Sequence, residues 1–340
     1  MRSSKRIVVL IAALAILALV IGACTPEPEI IEKEVTREVM VEVTKEVVKE
    51  VEVQVEVTRE VEKEVIVEVA AEPVAEIPFA EQWVSSGHAD AEAEAFRHWD
   101  EDDPPEVPTS CAKCHSETGY LDFLGVDGSE VGVVDSPAPI DTVVSCVACH
   151  NSATVVMDSV VFPSGVEVAG LGDEARCMQC HQGRASKASV DSAIADAGLD
   201  ENPDGTSEDL GFINIHYYPA AATKYGGIVM GGYQYEGKTY DSVFAHPTGF
   251  DTCNQCHDPH TLELRVEACS SCHTGVASAD DFKDVRMEGS LVDYDGDGDI
   301  DEGVYYEIEG LQEALNAAMQ AYAQDAGTPI VYESHTYPYF

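Results

Sequence analysis

Five copies of the pattern Cys-x-x-Cys-His constrain this chain more than any other feature of its sequence. Numbered one to five in chain order, the motifs are Cys111/Cys114/His115, Cys146/Cys149/His150, Cys177/Cys180/His181, Cys253/Cys256/His257 and Cys269/Cys272/His273. The pattern is the attachment signature of c-type haem, in which two thiols bond to the porphyrin and the histidine supplies one axial nitrogen to iron. We therefore predict five covalently bound haem c groups.

Zinc sites and disulfides are the alternative interpretations of paired cysteines. The motifs use ten of the 11 cysteines, and a histidine directly follows the second cysteine in all five. Zinc ligation does not require that histidine every time, and a disulfide framework does not place every pair at one spacing. The haem interpretation explains both regularities.

Five haems would fill much of the interior, so the chain needs less regular secondary structure than a haem-free domain of its size. We predict mainly short α-helices and loops wrapped around closely packed haems, with little β-structure. The hydrophobic spacing predicts one helix in SKASVDSAIADAG, residues 186–198, and a second along residues 311–322, before a glycine and a proline. Residues 233–240, YQYEGKTY, predict a small hairpin that turns at Glu236 and Gly237.

The first 23 residues predict a leader for export. A basic start, an apolar run and small residues precede Cys24, and the ending IGAC resembles a bacterial lipobox. We predict a lipoprotein signal peptide over residues 1–23 and a lipid on Cys24, which anchors an extracytoplasmic protein to the membrane or cell surface. An ordinary signal peptide or a membrane anchor with an incidental cysteine is the alternative.

A low-complexity segment rich in valine and glutamate follows the leader. Between Ile31 and Val69, valine or a basic residue alternates with glutamate or threonine, which is typical of a strand, although valine also recurs at helical spacing. We interpret residues 24–77 as a stalk that carries no chemistry and has the capacity to self-associate. Residues 78–340 then form the pentahaem domain.

The formal charge of −44 excludes nucleic acid as a partner. Such an acidic surface favours basic proteins or cations, and we expect redox partner proteins with a basic surface. The alternative is that the acidity serves only to keep an exported protein soluble.

Each haem iron has a second axial position, which histidine or methionine fills or substrate occupies. Outside the motifs the chain has six histidines, and we predict that five of them are distal ligands and that His335 is the spare. The predicted distal ligands are His88, His98, His216, His246 and His260. A core or surface histidine is the alternative at each position, and the competing methionines are Met157, Met230, Met287 and Met319.

An acidic run near the C-terminus, DYDGDGDIDEGV, resembles the first half of a calcium-binding loop. Asp293, Asp295 and Asp297 alternate before Gly298, as in an EF-hand, but Val304 stands where that loop needs a bidentate glutamate. We predict a calcium site in which Asp299, Asp301 or Glu302 substitutes. A solvated acidic turn is the alternative.

Taken together, these segments resemble exported multihaem cytochromes c of the bacterial electron-transfer type. The resemblance covers most of residues 80–340 and is carried by the five motifs and by SGHAD, FRHW, NIHYYPAAATKYGG and CHDPHTLE. It implies closely packed haems with two histidines on each iron, and it supports the five predicted distal ligands.

An electron carrier is the function that this pattern predicts. Pentahaem nitrite reductases also carry five haems and calcium, but a lysine typically replaces the proximal histidine of their catalytic haem, and this chain has no Cys-x-x-Cys-Lys. A multihaem reductase for nitrite or hydroxylamine with one open haem, and a haem-bearing subunit of a surface filament or complex, are the alternatives.

Overall fold

The computed structural model describes residues 76–340 apart from residues 203, 244 and 245. All of them lie in one structural unit, Pro73–Phe340. The predicted leader, Cys24 and almost all of the predicted stalk lie outside the described residues. Among the helices that the structure describes, none is long and apolar enough to span a membrane.

Short helices dominate the described part of the chain. Only the last exceeds ten residues. They are α1 (Ala80–Val84), α2 (Glu94–Arg97), α3 (Thr109–His115), α4 (Glu117–Phe123), α5 (Cys146–Cys149), α6 (Ala175–His181), α7 (Lys187–Asp196), α8 (Ala220–Tyr225), α9 (Cys253–Cys256), α10 (Val266–Cys269) and α11 (Val304–Ala326). Four 3-10 turns add to them at Thr154–Val156, Gly172–Glu174, Gly226–Ile228 and Asp280–Asp284.

The β-structure of the described residues consists of two antiparallel ribbons. Strands β1 (Glu106–Val107) and β2 (Ala138–Pro139) pair Val107 with Ala138. Strands β3 (Ser159–Val161) and β4 (Glu167–Ala169) pair Val160 with Val168. This part of the chain is thus mainly short helices and loops with little β-structure, whereas the packing of haems among them stays a prediction.

Each haem motif lies on a turn of helix or at the end of one. The backbone N–H groups of His150, His257 and His273 donate to the carbonyl of the first cysteine in the same motif, at 2.8, 2.8 and 2.9 Å. Residues three and four apart in a helical turn share a face. The two thiols and the imidazole are therefore presented to the same side of the chain.

The two helices predicted from hydrophobic spacing are confirmed as α7 and α11. Helix α7 begins after Ser186, whose backbone N–H donates to the Ser189 hydroxyl at 3.1 Å, and Gly198 follows it with a positive φ of 68°. Helix α11 is capped by Gly327, which adopts the left-handed conformation. Glycine adopts that conformation without a Cβ clash, so each glycine ends its helix at little cost.

The predicted hairpin at residues 233–240 is wrong in its strands and right in its turn. Lys238 donates to the carbonyl of Tyr235 across the turn at 3.2 Å. The N–H of Tyr235, however, donates to the side-chain hydroxyl of Tyr240 at 2.8 Å, and residues 233–240 form no strand on either side of the turn. A backbone donor that binds a side chain is lost to the ladder of a hairpin.

The hydrophobic interior is divided among small clusters. The largest one surrounds Met178 of α6 and joins Val160, Leu171 and Ala222. Two others centre on Val107 and on Tyr120. Several apolar side chains next to the second motif stay exposed, among them Val155 and Val156 at 63% and 78%. Contact with a porphyrin would cover apolar surface of this kind.

Replacing Met178 tests the largest cluster, because this side chain is fully buried. We expect Met178→Ala to lower the free energy of unfolding by about 2–5 kcal/mol, since the truncation leaves a cavity. Met178→Leu conserves the volume and should cost less than about 1.5 kcal/mol. Denaturant unfolding of chains with equal haem content measures both values, and equal losses would contradict the packing described here.

Candidate functional site

Four pairs of histidine rings face one another in the structure. Each pair joins a proximal histidine, meaning the histidine of a haem motif, to one outside the motifs. The ring centroids are 5.7 Å apart for His115 and His216, 6.3 Å for His181 and His88, 6.3 Å for His150 and His260, and 6.5 Å for His273 and His246. The structure thus brings four of the five predicted distal ligands onto proximal histidines.

The spacing of these rings suits a metal between two imidazoles. Two metal–imidazole bonds of about 2 Å place the facing nitrogens about 4 Å apart, and the ring centroids lie about 1 Å further back on each side, roughly 6 Å apart in total. Ordinary aromatic contacts also span this distance. They would not, however, join a motif histidine to a non-motif histidine in every case. The residues present therefore fit a haem iron held from both faces.

The pair of His115 and His216 has its nitrogens in a suitable arrangement. Their Nε2 atoms are 3.4 Å apart, and Nδ1 of His115 lies 2.7 Å from the carbonyl of Ala95. A proton on Nδ1 that is donated to a carbonyl leaves Nε2 as the metal ligand and fixes the plane of the ring. Trp99 packs edge-on against His115 with the ring centroids 5.2 Å apart, and sequence reasoning missed this contact.

Burial favours the neutral imidazole that binds iron. Burial and the nearby His181 lower the pKa of His88 to about 4. Burial also lowers the pKa values of His115, His181 and His216, with further contributions from neighbouring positive or titratable groups. A neutral ring offers its Nε2 lone pair without first losing a proton. These four side chains are therefore in the ligating form at neutral pH.

The pair of His150 and His260 is held by a stacked phenyl ring. Phe79 lies against His260 with the ring centroids 4.4 Å apart and the planes nearly parallel. Backbone contacts also fix this connector, because the N–H of His260 donates to Asp258 Oδ1 at 2.9 Å. His260 therefore reaches the second motif rather than the fourth, to which it is adjacent in sequence.

His98 and His335 are placed differently from the other four. The His98 side chain is 61% exposed, contacts Glu94 through Nδ1 at 2.8 Å and packs edge-on against Trp99. The His335 side chain is 85% exposed and contacts Ser334. Among the residues that the structure describes, neither forms a ring pair with a proximal histidine. His335 was the predicted spare. His98 was a predicted distal ligand, but the structure does not pair it with a proximal histidine.

None of the ten cysteines of the haem motifs forms a disulfide within the described part of the chain, and two of them contact the backbone of another motif. Cys114 Sγ of the first motif donates to the carbonyl of Gln179, between the two cysteines of the third, at 4.0 Å, and Cys180 Sγ of the third motif donates to the carbonyl of Lys113 at 3.8 Å. The nearby Cys114 thiol and burial raise the pKa of Cys180. Cys253 Sγ of the fourth motif donates at 3.3 Å to the carboxylate of Glu174, which directly precedes the helix of the third motif. Burial and the charge of the nearby Cys177 raise the pKa of Cys149 of the second motif. The third motif therefore lies in contact with its neighbours on several sides.

The predicted attachment cysteines differ in exposure. Cys146, Cys177 and Cys272 are exposed, whereas the other seven are partly buried. Helix α10 ends at Cys269, so Cys272 lies in the turn after it, where its N–H donates to the carbonyl of Cys269 at 3.1 Å. Its Sγ accepts only a weak, local hydrogen bond from the Ser271 hydroxyl at 3.8 Å. Haem attachment at Cys272 stays a prediction, as it does at the other motif cysteines.

Of the competing methionines, Met157 lies nearest to the haem motifs. It is partly buried and packs against the clusters that include Cys253 and Cys180. Met287 is 57% exposed. Met230 has a positive φ of 52°, and its carbonyl accepts from Lys187 at 2.9 Å. Met319 lies on helix α11, far along the chain from any haem motif.

The acidic loop at residues 293–302 gathers two groups of carboxylates. Oxygens of Asp293, Asp295 and Asp297 lie within 4.8 Å of one another, as do those of Asp295, Glu302 and Glu307. The backbone turns that arrange them follow the calcium-loop pattern, since Gly296 and Gly298 both donate to Asp293. Of the predicted substitutes, Glu302 joins a group, whereas Asp299 and Asp301 belong to neither group.

Glu307 belongs to the second carboxylate group, and the sequence analysis did not predict it. It lies at 1% exposure in the first turn of α11, where its carboxylate binds Arg286 and accepts from the N–H of Tyr294 at 2.7 Å. Burial and the neighbouring Asp297 and Asp295 raise the pKa of Glu302, whose Oε1 is buried without a hydrogen-bond partner among the described residues. A cation would relieve this crowding of negative charge.

Comparisons with models of protein families, with curated proteins and with solved structures find no match to this chain.

Replacing His260 tests the ring pairs directly. We expect His260→Ala to convert one of the five irons from low spin to high spin, because the iron held by His150 loses its second nitrogen. His335→Ala is the matched control and should leave every iron unchanged. Low-temperature electron paramagnetic resonance measures both. A change in the control alone would show that His335, and not His260, is a ligand.

Calcium should stabilise the folded protein if the acidic loop binds it. At a calcium concentration of 100 times Kd, we expect a gain of about 2.7 kcal/mol and a rise in Tm of about 5–10 °C after prior chelation. Asp295→Asn should remove most of this rise, because Asp295 belongs to both carboxylate groups. Asp325→Asn, at the exposed end of α11, is the control. No rise in the unaltered protein would leave only a solvated acidic turn.

Proposed function

We propose that this protein transfers electrons outside the cytoplasm through five covalently bound haem c groups, most of them held by two histidines. The observation that carries the proposal is that four motif histidines each face a histidine from elsewhere in the chain. The five attachment motifs support it independently. Bound haem iron supplies reversible one-electron chemistry, and the chain supplies the ligands and their surroundings.

The protein side chains keep the ligand geometry fixed. The Nδ1 atoms of His115 and His257 contact the carbonyls of Ala95 and Leu262 at 2.7 and 2.9 Å. Imidazoles that are already oriented need little rearrangement when the charge of the iron changes. Electron transfer benefits from this rigidity, whereas chemistry on a substrate needs an open position on the metal.

The contacts between motifs define an order for the carriers. The third motif contacts the first through the backbone of Lys113 and Gln179, and Glu174, directly before the third motif's helix, contacts Cys253 of the fourth. Burial and the charge of the nearby Cys269 of the fifth motif raise the pKa of Cys256 of the fourth. The haem at the third motif is therefore the proposed junction, with the first and second on one side and the fourth and fifth on the other.

The composition supports the proposed location and partners. A net charge of −44 favours redox partner proteins with a basic surface, and association with them should weaken as salt screens the attraction. We propose that a lipid on Cys24 anchors the protein to the cell membrane or cell surface and that residues 24–77 act as the stalk. Self-association through the stalk would support the alternative of a subunit in a surface filament or complex.

Removing single haems tests the proposed order. The double substitution Cys177→Ser/Cys180→Ser should leave four haems and separate them into two groups, so that rapid reduction becomes biphasic. The control Cys269→Ser/Cys272→Ser also leaves four haems but removes one at the end of the order, and it should keep a single fast phase. Intact mass verifies the haem number, and stopped-flow absorbance measures the phases.

Fewer than five haem increments in the unaltered chain would overturn the proposed function. Fast turnover of nitrite or hydroxylamine in a steady-state assay would promote the reductase instead. Equal kinetics in the two four-haem variants would contradict the junction at the third motif while leaving the carrier function in place.

A further inference from the structure

His257 is the one proximal histidine without a facing histidine in the part of the chain that the structure describes. Its backbone is held by a bridge to Leu264, and Nδ1 of its ring lies 2.9 Å from the carbonyl of Leu262. A ring that donates its Nδ1 proton to a carbonyl directs Nε2 to the metal. His257 is therefore arranged as a proximal ligand in the same way as His115, with nothing to match His216 on the other side.

The remaining histidines are engaged elsewhere. All 11 histidines of the chain lie among the described residues, and eight of them form the four pairs. His98 lies close enough to His115 for its charge to lower the pKa of that ring, and the iron there already has His216. His335 contacts Ser334 and Glu333 near the C-terminal residue. His260 follows His257 closely in sequence but faces His150.

We infer that the haem at the fourth motif differs from the other four: its iron has His257 as its only histidine ligand and binds small uncharged ligands of the carbon monoxide type at its other axial position. This inference rests on the proposed function, since it requires haem at that motif. The chain closes four irons with paired imidazoles and leaves one accessible.

The surroundings of His257 decide the class of ligand. Asp258 and Glu263 flank the ring along the chain, and Arg265 lies 3.7 Å from Asp258, so the local positive charge is already matched by a carboxylate. The whole chain is strongly negative, which opposes the approach of anions. An uncharged diatomic molecule needs no positive partner and is not repelled by the negative chain, whereas nitrite and similar anions need the one and meet the other.

The same iron is connected to the rest of the proposed carrier. Cys253 donates through its N–H and its Sγ to Glu174, directly before the helix of the third motif, at 3.0 and 3.3 Å, and His257 is near enough to His181 for its charge to lower the pKa of that ring. Ligand binding at the fourth motif would therefore act on the haem next to the proposed junction. Carbon monoxide binds reduced iron, so it should hold this haem in the reduced state and hinder electron flow to the fifth motif.

Titration of the fully reduced, haem-complete protein with carbon monoxide tests the inference. We expect one carbon monoxide per chain, measured from the absorbance change. Cys253→Ser/Cys256→Ser should lose this binding, and the control Cys269→Ser/Cys272→Ser should keep it. Retention in the first variant would overturn the assignment to the fourth motif. Binding by the unaltered chain also remains informative if a variant fails to fold.

Carbon monoxide binding by none of five intact haems would overturn the inference and leave the proposed function standing. His98→Ala and His335→Ala would then identify the closing ligand, because the responsible variant would gain one equivalent. A sulfur-to-iron charge-transfer band that Met157→Leu removes would overturn it in favour of methionine. Binding that falls as protein concentration rises would overturn it in favour of a ligand from a second copy. Fewer than five haems by intact mass would instead remove the proposed function itself.

Discussion

The facing of two histidine rings is the interaction on which this structure depends. Each pair ties a short helical turn that carries two cysteines to a segment distant in sequence, as when His216 reaches His115 across about a hundred residues. The hydrophobic clusters are small and separate, so they supply limited cohesion on their own. Burial lowers the pKa values of His88, His115, His181 and His216, and the carbonyl of Ala95 orients His115, so these rings fit the proposed ligation of iron.

Helices α7 and α11 could be predicted from sequence because hydrophobic spacing and capping residues are local signals. The Cys-x-x-Cys-His pattern is local too, but haem attachment through it stays a prediction. The pattern also does not reveal burial, as the exposed Cys272 shows. The hairpin failed at Tyr235, where a side-chain acceptor competes with the opposite strand, and residue order does not reveal that competition.

The pairing of the distal histidines could not be predicted, because it depends on the tertiary path of the loops. His260 is adjacent to the fourth motif in sequence yet faces the second, held by Phe79. His98 was a predicted distal ligand, but it lies near His115, which already faces His216. In the acidic loop, likewise, the alternating aspartates were visible in the sequence. Glu307 entered only through the position of α11 against residues 293–295.

The central claim concerns the number of irons that are each bound by two histidines. Low-temperature electron paramagnetic resonance of the oxidised protein, with haem quantified on the same sample, counts this directly. The account predicts five haems per chain, four of them low spin with two imidazole ligands and one high spin. A preparation whose irons are mostly high spin, or whose paired histidines bind zinc in place of haem, would contradict it.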